Sequence, residues 1–513
     1  MGFSSQRSIS YLAVAGAGLG VVLMAVRAFH SISILEPLQL LTSGAEYESL
    51  YAIWKYMHGV TVYADHTRIP FAGSFYNWVY YAFYGEIARL VTVALSLDDD
   101  WLPTITRLTT LGGIAYGAWI SARLFMTLVA RGNDDLQRLG LAFALLLFFG
   151  PLMGFFGMAT QPDIWGFAFD VTAVYFFLRF YDTRPAAAIL LFWLFAYLAW
   201  GFKQIFVYST GAVGLFLLLR RDWRMVAMLT MVSVVGWSVT LAVGSDQYLK
   251  NVLLFGGVSV VLDWGQFLRN VGNVAVKLLP VLLGLAGVVA AMATDRGVRL
   301  RIAEAAAVAG RWFPDGVLGF AAIGVLVTSV LVLPASAKLG AAENYYFMLS
   351  LLLALLLLVA LAALSQSGPF PMLVALALSF GWLLHIAALA MVLAGVTGTL
   401  SPRNLHASLT SLRECLAAKK LVPPFFVAHP YLSLPWMIPA NRHFVIQTNY
   451  RWDRQRGIEM EGGGIGGLID HGYFATIAIP GISYDGSALR RYRPRGEACG
   501  DFRIYDRVGG RSE

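Results

Sequence analysis

Residues 44 to 59 read GAEYESLYAIWKYMHG and set Glu46 and Glu48 among four aromatic rings, Lys55 and His58, in a chain of which only 13% is charged. A carboxylate held in a partly dry site can take a proton from an attacking hydroxyl or amine, the work of a general base. Further along, Asp163 ends Thr160-Gln161-Pro162-Asp163, Lys203 and Gln204 end Gly201-Phe202-Lys203-Gln204, and Lys338, Asn344 and Tyr345 share one short segment. A lysine kept at a short turn beside an apolar run calls for an anionic partner, and a phosphate is the economical one. A blander reading stands beside each residue. Glu46 follows Ser43 at capping-box spacing, an acid such as Asp163 is ordinary in the first turn of a helix, and each lysine can snorkel to a membrane interface. Glu46 and Glu48 lie about 200° apart around a helix, so only one of them can face a given site.

The elements that must position these groups are apolar. The chain has 513 residues, 58% of them hydrophobic, with 33 Phe, 23 Tyr and 14 Trp, a composition beyond that of a soluble domain. Runs long enough to cross ~30 Å of hydrocarbon predict about eleven spans. They fall near 11–29, 103–127, 139–158, 163–181, 186–200, 205–219, 225–243, 272–293, 316–334, 345–363 and 370–397. Basic residues gather in every second connection: Arg7; Arg131 and Arg138; Arg179 and Arg184; Arg220, Arg221 and Arg224; Arg296, Arg299, Arg301 and Arg311. The positive-inside rule therefore puts the N-terminus in the cytoplasm and residues 398–513 outside the inner membrane. No small-x-small cleavage site follows the first run, so it reads as a retained helix. Much of the net charge of +8 serves this orientation, and nucleic acid is not expected as a partner.

Two units follow, a transmembrane unit over 1–397 with an external loop at 30–102, and a soluble extracytoplasmic α/β unit over 398–513. The loop is expected to carry two interfacial helices, over residues 44–58 and 74–97, rich in Tyr and Trp. The segment from Gly244 to Gly272 reads as an amphipathic flap or a plain interfacial loop. In the C-terminal unit a helix is expected over 403–420 and strands over 425–428, 444–448, 473–479 and 502–507. Both cysteines, Cys415 and Cys499, fall there, where the compartment permits a bridge; two free thiols remain the alternative. Gly462 to Gly467 reads as a flexible turn, since the strand-to-helix setting of a phosphate-binding loop is missing. No zinc spacing, P-loop or Ser/His/Asp signature appears, and His429, His443 and His471 read as ordinary surface or core residues.

The order of these motifs resembles the GT-C superfamily, polytopic glycosyltransferases that use polyprenyl-phosphate sugars, such as the lipid A aminoarabinose transferases and protein mannosyltransferases. The features are an acid opening the helix after the first span, Gly59 to Asp65, Pro70-Phe71 with Tyr76-Asn77, Asp163, Lys203-Gln204 and Asn344-Tyr345. The resemblance implies an inverting transferase with a polyprenyl-phosphate sugar donor, a lipid-linked saccharide or polysaccharide acceptor, and membrane lipid around both. It makes Glu46 the catalytic carboxylate and Asp163 the second acid. It assigns the donor phosphate to Lys203, with Lys338, Gln204, Asn344 and Tyr345 around it, and it allows a divalent metal without naming ligands. Many members carry paired acids where this chain has Ala45-Glu46, which keeps Glu48 and Asp65 as substitutes for the base. The rival readings are a transporter or lipid flippase, against which stand the lack of internal repeats and the gathering of charges at one face, and a noncatalytic GT-C-like subunit, which Ala45 favours.

Overall fold

The structure is a computed structural model that describes residues 6–38, 46–129, 132–254, 262–307, 316–338, 340–365, 369–398, 401–438, 448–455 and 457–509. Apolar runs punctuated by Pro, Asp and Asn become helices. After α1 (Gln6–Ile32) come two helices of the external loop, α2 (Glu46–Met57) and α3 (Trp78–Leu95), and then α4 (Leu102–Leu124), α5 (Asp134–Phe149), α6 (Asp163–Phe180), α7 (Pro185–Phe202), α8 (Tyr208–Leu219) and α9 (Trp223–Val243). The second half holds α10 (Trp264–Lys277), α11 (Leu279–Thr294), α12 (Arg296–Ala307), α13 (Val317–Ser336), α14 (Phe347–Ser365) and α15 (Met372–Thr397). Starts are set locally: the side chains of Asn133, Asp222 and Asp263 accept from backbone N–H groups of the first turns of α5, α9 and α10, and Pro opens α4, α7 and α11. α14 is the most enclosed of the apolar helices, packed among its neighbours in the main core.

Six of these helices are long and apolar enough to cross a membrane, or seven if the bent pair α10 and α11 counts as one. Each expected run holds helix, but some, such as the 12-residue α8, are short. Two expectations need correction. The run at 139–158 is helical only to Phe149 and passes into turns from Gly150 on. The run at 272–293 is not continuous helix: it breaks at Leu278, and α10 and α11 meet at 81°. Pro280 explains the break, since it can only open a helix there. In the external loop, α2 begins at Glu46, and Ser43, the proposed cap, lies outside the described residues.

Beyond α15 come α16 (Pro402–Ala417), α17 (Thr448–Gln455), α18 (Gly464–Asp470) and a four-stranded sheet of β1 (Phe425–Val427), β2 (Thr476–Pro480), β3 (Tyr492–Cys499) and β4 (Phe502–Arg507). Its order is β1-β2-β4-β3, with β1 and β2 parallel and the rest antiparallel. The sequence reading missed β3, whose YRPRGEAC pattern is mostly polar and broken by Pro494. It also placed a strand at 444–448, of which Thr448 opens a helix and the rest lies outside the described residues. Cys415 and Cys499 are joined as a disulfide, Cα to Cα 5.7 Å, stapling α16 to β3. Gly462 to Gly467 is not a flexible turn: Gly464 opens α18, whose first N–H groups are taken by the chain itself, Gly466 N donating to Asp485 Oδ2 at 3.2 Å and Ile465 N to Tyr450 Oη at 2.7 Å.

The sheet and α16 pack on the external loop. Tyr47, Leu50 and Tyr51 of α2 and Tyr80, Tyr81 and Tyr84 of α3 share a core with Leu409, Leu416, Leu432 and Ile504. Arg413 reaches Glu36 and Asp100, so charge reinforces the apolar contact.

Candidate active site

Glu46 opens α2 and is wholly buried, with Arg107 of α4 only 1% exposed against it. Its carboxylate accepts from Arg107 Nε at 3.1 Å and Nη2 at 2.7 Å, from Leu38 N at 2.5 Å and from Thr160 N at 2.8 Å. Arg107 donates in turn to the carbonyls of Ser31, Ile34 and Glu36. Burial pushes the Glu46 carboxyl up, but the Arg107 charge, its hydrogen bonds and the two backbone N–H groups outweigh burial and hold the acid below its ordinary range. Four donors occupy the acceptor capacity of this group. It ties the end of α1, α2, α4 and the 160–163 turn into one unit.

Thr160 carries that unit to Asp163, which opens α6. Asp163 Oδ1 accepts from Lys203 Nζ at 2.9 Å and from Asn344 Nδ2 at 2.7 Å, so three of the residues singled out in sequence meet on one oxygen. Lys203 follows the end of α7, where Gly201 lets that helix close on α3: a Cβ there would lie 2.4 Å from Val79 Cγ2. The ammonium also stands 5.5 Å from the centre of the Tyr76 ring, whose hydroxyl donates to Gln161 Oε1 at 3.4 Å. Tyr345 adjoins the cluster, next in the chain to Asn344. Asp163 Oδ2, Asn344 Oδ1 and Gln161 Nε2 are buried without a hydrogen-bond partner among the described residues. Buried polar atoms left so are uncommon and call for an explanation.

Glu48 is half-buried, and its Oε1 accepts from Tyr47 Oη at 3.4 Å. The Tyr76 phenol is held well above its usual range by burial and then by the charges of Asp163 and Glu48 together. Tyr81 is raised by burial, and Glu48 adds to it. The two glutamates thus differ, Glu46 wholly buried against Arg107 and Glu48 half-buried with its charge felt at Tyr76 and Tyr81.

The other expected residues stand apart. Asp65 closes a local turn, accepting from Thr67 N at 3.0 Å and Thr67 Oγ1 at 2.7 Å. Gln204 Nε2 donates to the carbonyls of Phe75 and Val252, stitching loops together rather than facing Asp163. Lys338 pairs through its backbone with Leu262 in the turn that leads to Asn344. Among the described residues no three His, Cys, Asp or Glu side chains gather to hold a metal ion. Asp163 Oδ2 and Asn344 Oδ1 are two oxygens, short of the six to eight that Ca²⁺ takes, and enough for Mg²⁺ only where waters and a substrate phosphate complete its shell. Sequence reasoning missed Arg107, although an arginine inside an expected span is a signal in itself, since such a charge needs a partner.

ArnT from Cupriavidus metallidurans bound to undecaprenyl phosphate aligns with 96% of this chain and 98% of its own, with a TM-score of 0.61 and 13% identity. Its apo form aligns over 96% and 99%, with a TM-score of 0.57 and 14% identity. The chain has the ArnT fold. That is a mostly helical architecture with several apolar helices and a small C-terminal α/β unit, the fold class expected from the sequence. No family model and no curated protein matches the chain, so at this identity the likeness to ArnT is one of fold.

Proposed function

We propose that the protein is an inverting glycosyltransferase that moves a sugar from a polyprenyl-phosphate donor to a lipid-linked or cell-envelope glycan acceptor on the extracytoplasmic face of the inner membrane. The observation that carries this is the meeting of Asp163, Lys203 and Asn344 on one oxygen, in a chain with the fold of a protein solved with undecaprenyl phosphate bound.

In this reading Glu48 is the general base, in place of Glu46, whose lone pairs are already taken. Glu48 takes the proton of the acceptor hydroxyl or amine as that atom attacks the anomeric carbon. The bond from that carbon to the phosphate oxygen breaks, and its electron pair leaves with the polyprenyl phosphate. Charge grows on the phosphate, and Lys203, with three N–H donors of which Asp163 fixes one, stabilises it more in the transition state than in the ground state. Asp163, itself fixed by Asn344 Nδ2, holds the ammonium in place; Asp163 Oδ2 and Asn344 Oδ1 can accept from the bound substrate and Gln161 Nε2 can donate to it. No step is routed through a metal ion.

The test is deletion of the gene in its own organism, with mass spectrometry of polyprenyl-linked and envelope glycans. One glycan should lose a single sugar, restored by the wild-type chain and not by Lys203→Ala. An unchanged glycan profile would contradict the reading.

A further inference from the structure

The Asn344 amide reaches Asp163 from a turn that belongs to neither α6 nor α7, so something must hold that turn in place. The residue before it, Glu343, is buried at the start of a short 3₁₀ turn, Glu343–Tyr346. Its Oε1 accepts from Lys277 Nζ at 2.8 Å and from Asn273 Nδ2 at 3.0 Å, both on α10. The same face of α10 holds the preceding residues: Gln266 Nε2 donates to Ala341 O at 2.9 Å, and Asn270 Nδ2 donates to the carbonyls of Ser336 and Ala341, each at 3.1 Å. Gln266, Asn270, Asn273 and Lys277 recur at four, three and four residues, one stripe of a helix. This stripe of α10 is thus turned on the segment that presents Asn344, while Arg269 stays exposed and pairs with Asp263.

The opposite stripe is apolar and open, with Trp264 71%, Leu268 67% and Val276 61% exposed. α10 meets the apolar α11 at 81°, so if α11 crosses the bilayer α10 lies along its surface, with that stripe toward lipid and Trp264 at headgroup depth.

We propose that Glu343 is a positioning residue: gripped by Lys277 and Asn273, it sets Asn344 against Asp163 and ties the acid–lysine pair to a helix lying on the bilayer. The assignment rests on the transferase reading. Asn344 is one residue from Glu343, in a 3₁₀ turn that runs on into α14 at Phe347, so Glu343 fixes the leading end of that turn while α14 fixes the other. Displacement of a positioning group by about 1 Å can cost ~100-fold in rate.

The experiment uses the full-length protein in lipid nanodiscs, with turnover of the polyprenyl-linked donor, donor KM and melting temperature measured for Glu343→Ala, Glu343→Gln, Lys277→Ala and the pair Lys277→Ala/Glu343→Ala. The wild-type chain is measured first; failure of transfer there counts against the transferase reading and not against the positioning role. Given wild-type transfer, kcat measured well below each variant's melting temperature should fall about 10- to 100-fold in Glu343→Ala and Lys277→Ala, with donor KM within about threefold; the melting temperature should fall most in Lys277→Ala, which leaves the buried Glu343 carboxylate to Asn273 alone. Glu343→Gln, which keeps an acceptor oxygen for Asn273, should lose less, and the double variant should be no slower than the slower single one. A kcat within twofold of wild type in Glu343→Ala, or single losses that multiply in the double variant, would overturn the proposal. Should Glu343→Ala fail to fold, Lys277→Ala decides alone, because Lys277 is partly exposed and its truncation leaves no buried cavity.

Discussion

At the scale of single residues, the division between Glu46 and Glu48 decides the chemistry. Removing one partner of a buried ion pair leaves the other charge uncompensated, so Glu46→Ala should destabilise the protein by about 3–5 kcal/mol. Thermal unfolding in detergent checks this, and a melting temperature near wild type would show that Arg107 finds another anion. A buried lysine offers a second test. Lys55, 3% exposed, donates to Val62 O at 2.6 Å and Ser74 Oγ at 3.3 Å, both neutral, and burial pushes its ammonium down to about 7. The unfolded chain, with an ordinary lysine near 10.5, then binds more protons than the folded one between about pH 7 and 10.5. The contribution of Lys55 to stability is therefore complete above pH 10.5 and is lost as pH falls toward 7. Lys55→Met should flatten the rise of melting temperature with pH across that window, and an unchanged slope would contradict the assignment.

At the scale of elements, what the sequence made legible is what local rules encode. Helix starts at Asn133, Asp222 and Asp263 are encoded by capping residues, though the hydropathy reading began those runs at 139, 225 and 272. The two helices of the external loop follow from their aromatic spacing, and β1, β2 and β4 from short apolar runs between turns. The break between α10 and α11 was also written there, in Pro280, but hydropathy carried the expected span across it. The long-range pairings were not legible. Nothing near Glu46 announces Arg107, 61 positions away, and nothing near Lys277 announces Glu343. Such pairs depend on how helices cross, and one sequence does not record that. The site was half legible for the same reason: Asp163, Lys203 and Asn344 sit at ends of apolar runs that must come to one face, whereas Gln204 and Asp65 sit at equally suggestive ends and serve as loop fastenings.

At the scale of the molecule, the C-terminal unit braces the loop that carries the glutamates. Arg413 of α16 bridges to Glu36 and Asp100, Glu461 Oε2 accepts from Ile69 N at 3.0 Å, and the apolar core is shared between sheet and loop. The disulfide locks α16 to β3 within that brace. If residues 398–513 lie outside the cytoplasm, as the basic connections imply, a reporter fused after Glu513 should be active only there, and both thiols should resist alkylation until reduced. Cytoplasmic activity of the reporter would remove the proposed extracytoplasmic site altogether.

The most direct test of the proposed chemistry is the turnover of Glu48→Gln, purified in nanodiscs and compared with wild type on the same polyprenyl-linked donor and acceptor. An amide cannot take and keep a proton near neutral pH, so the variant should fold, bind donor as wild type does and transfer sugar at least ~100-fold more slowly. Turnover within a few fold of wild type would contradict Glu48 as the base and with it the mechanism built on the Asp163–Lys203 pair.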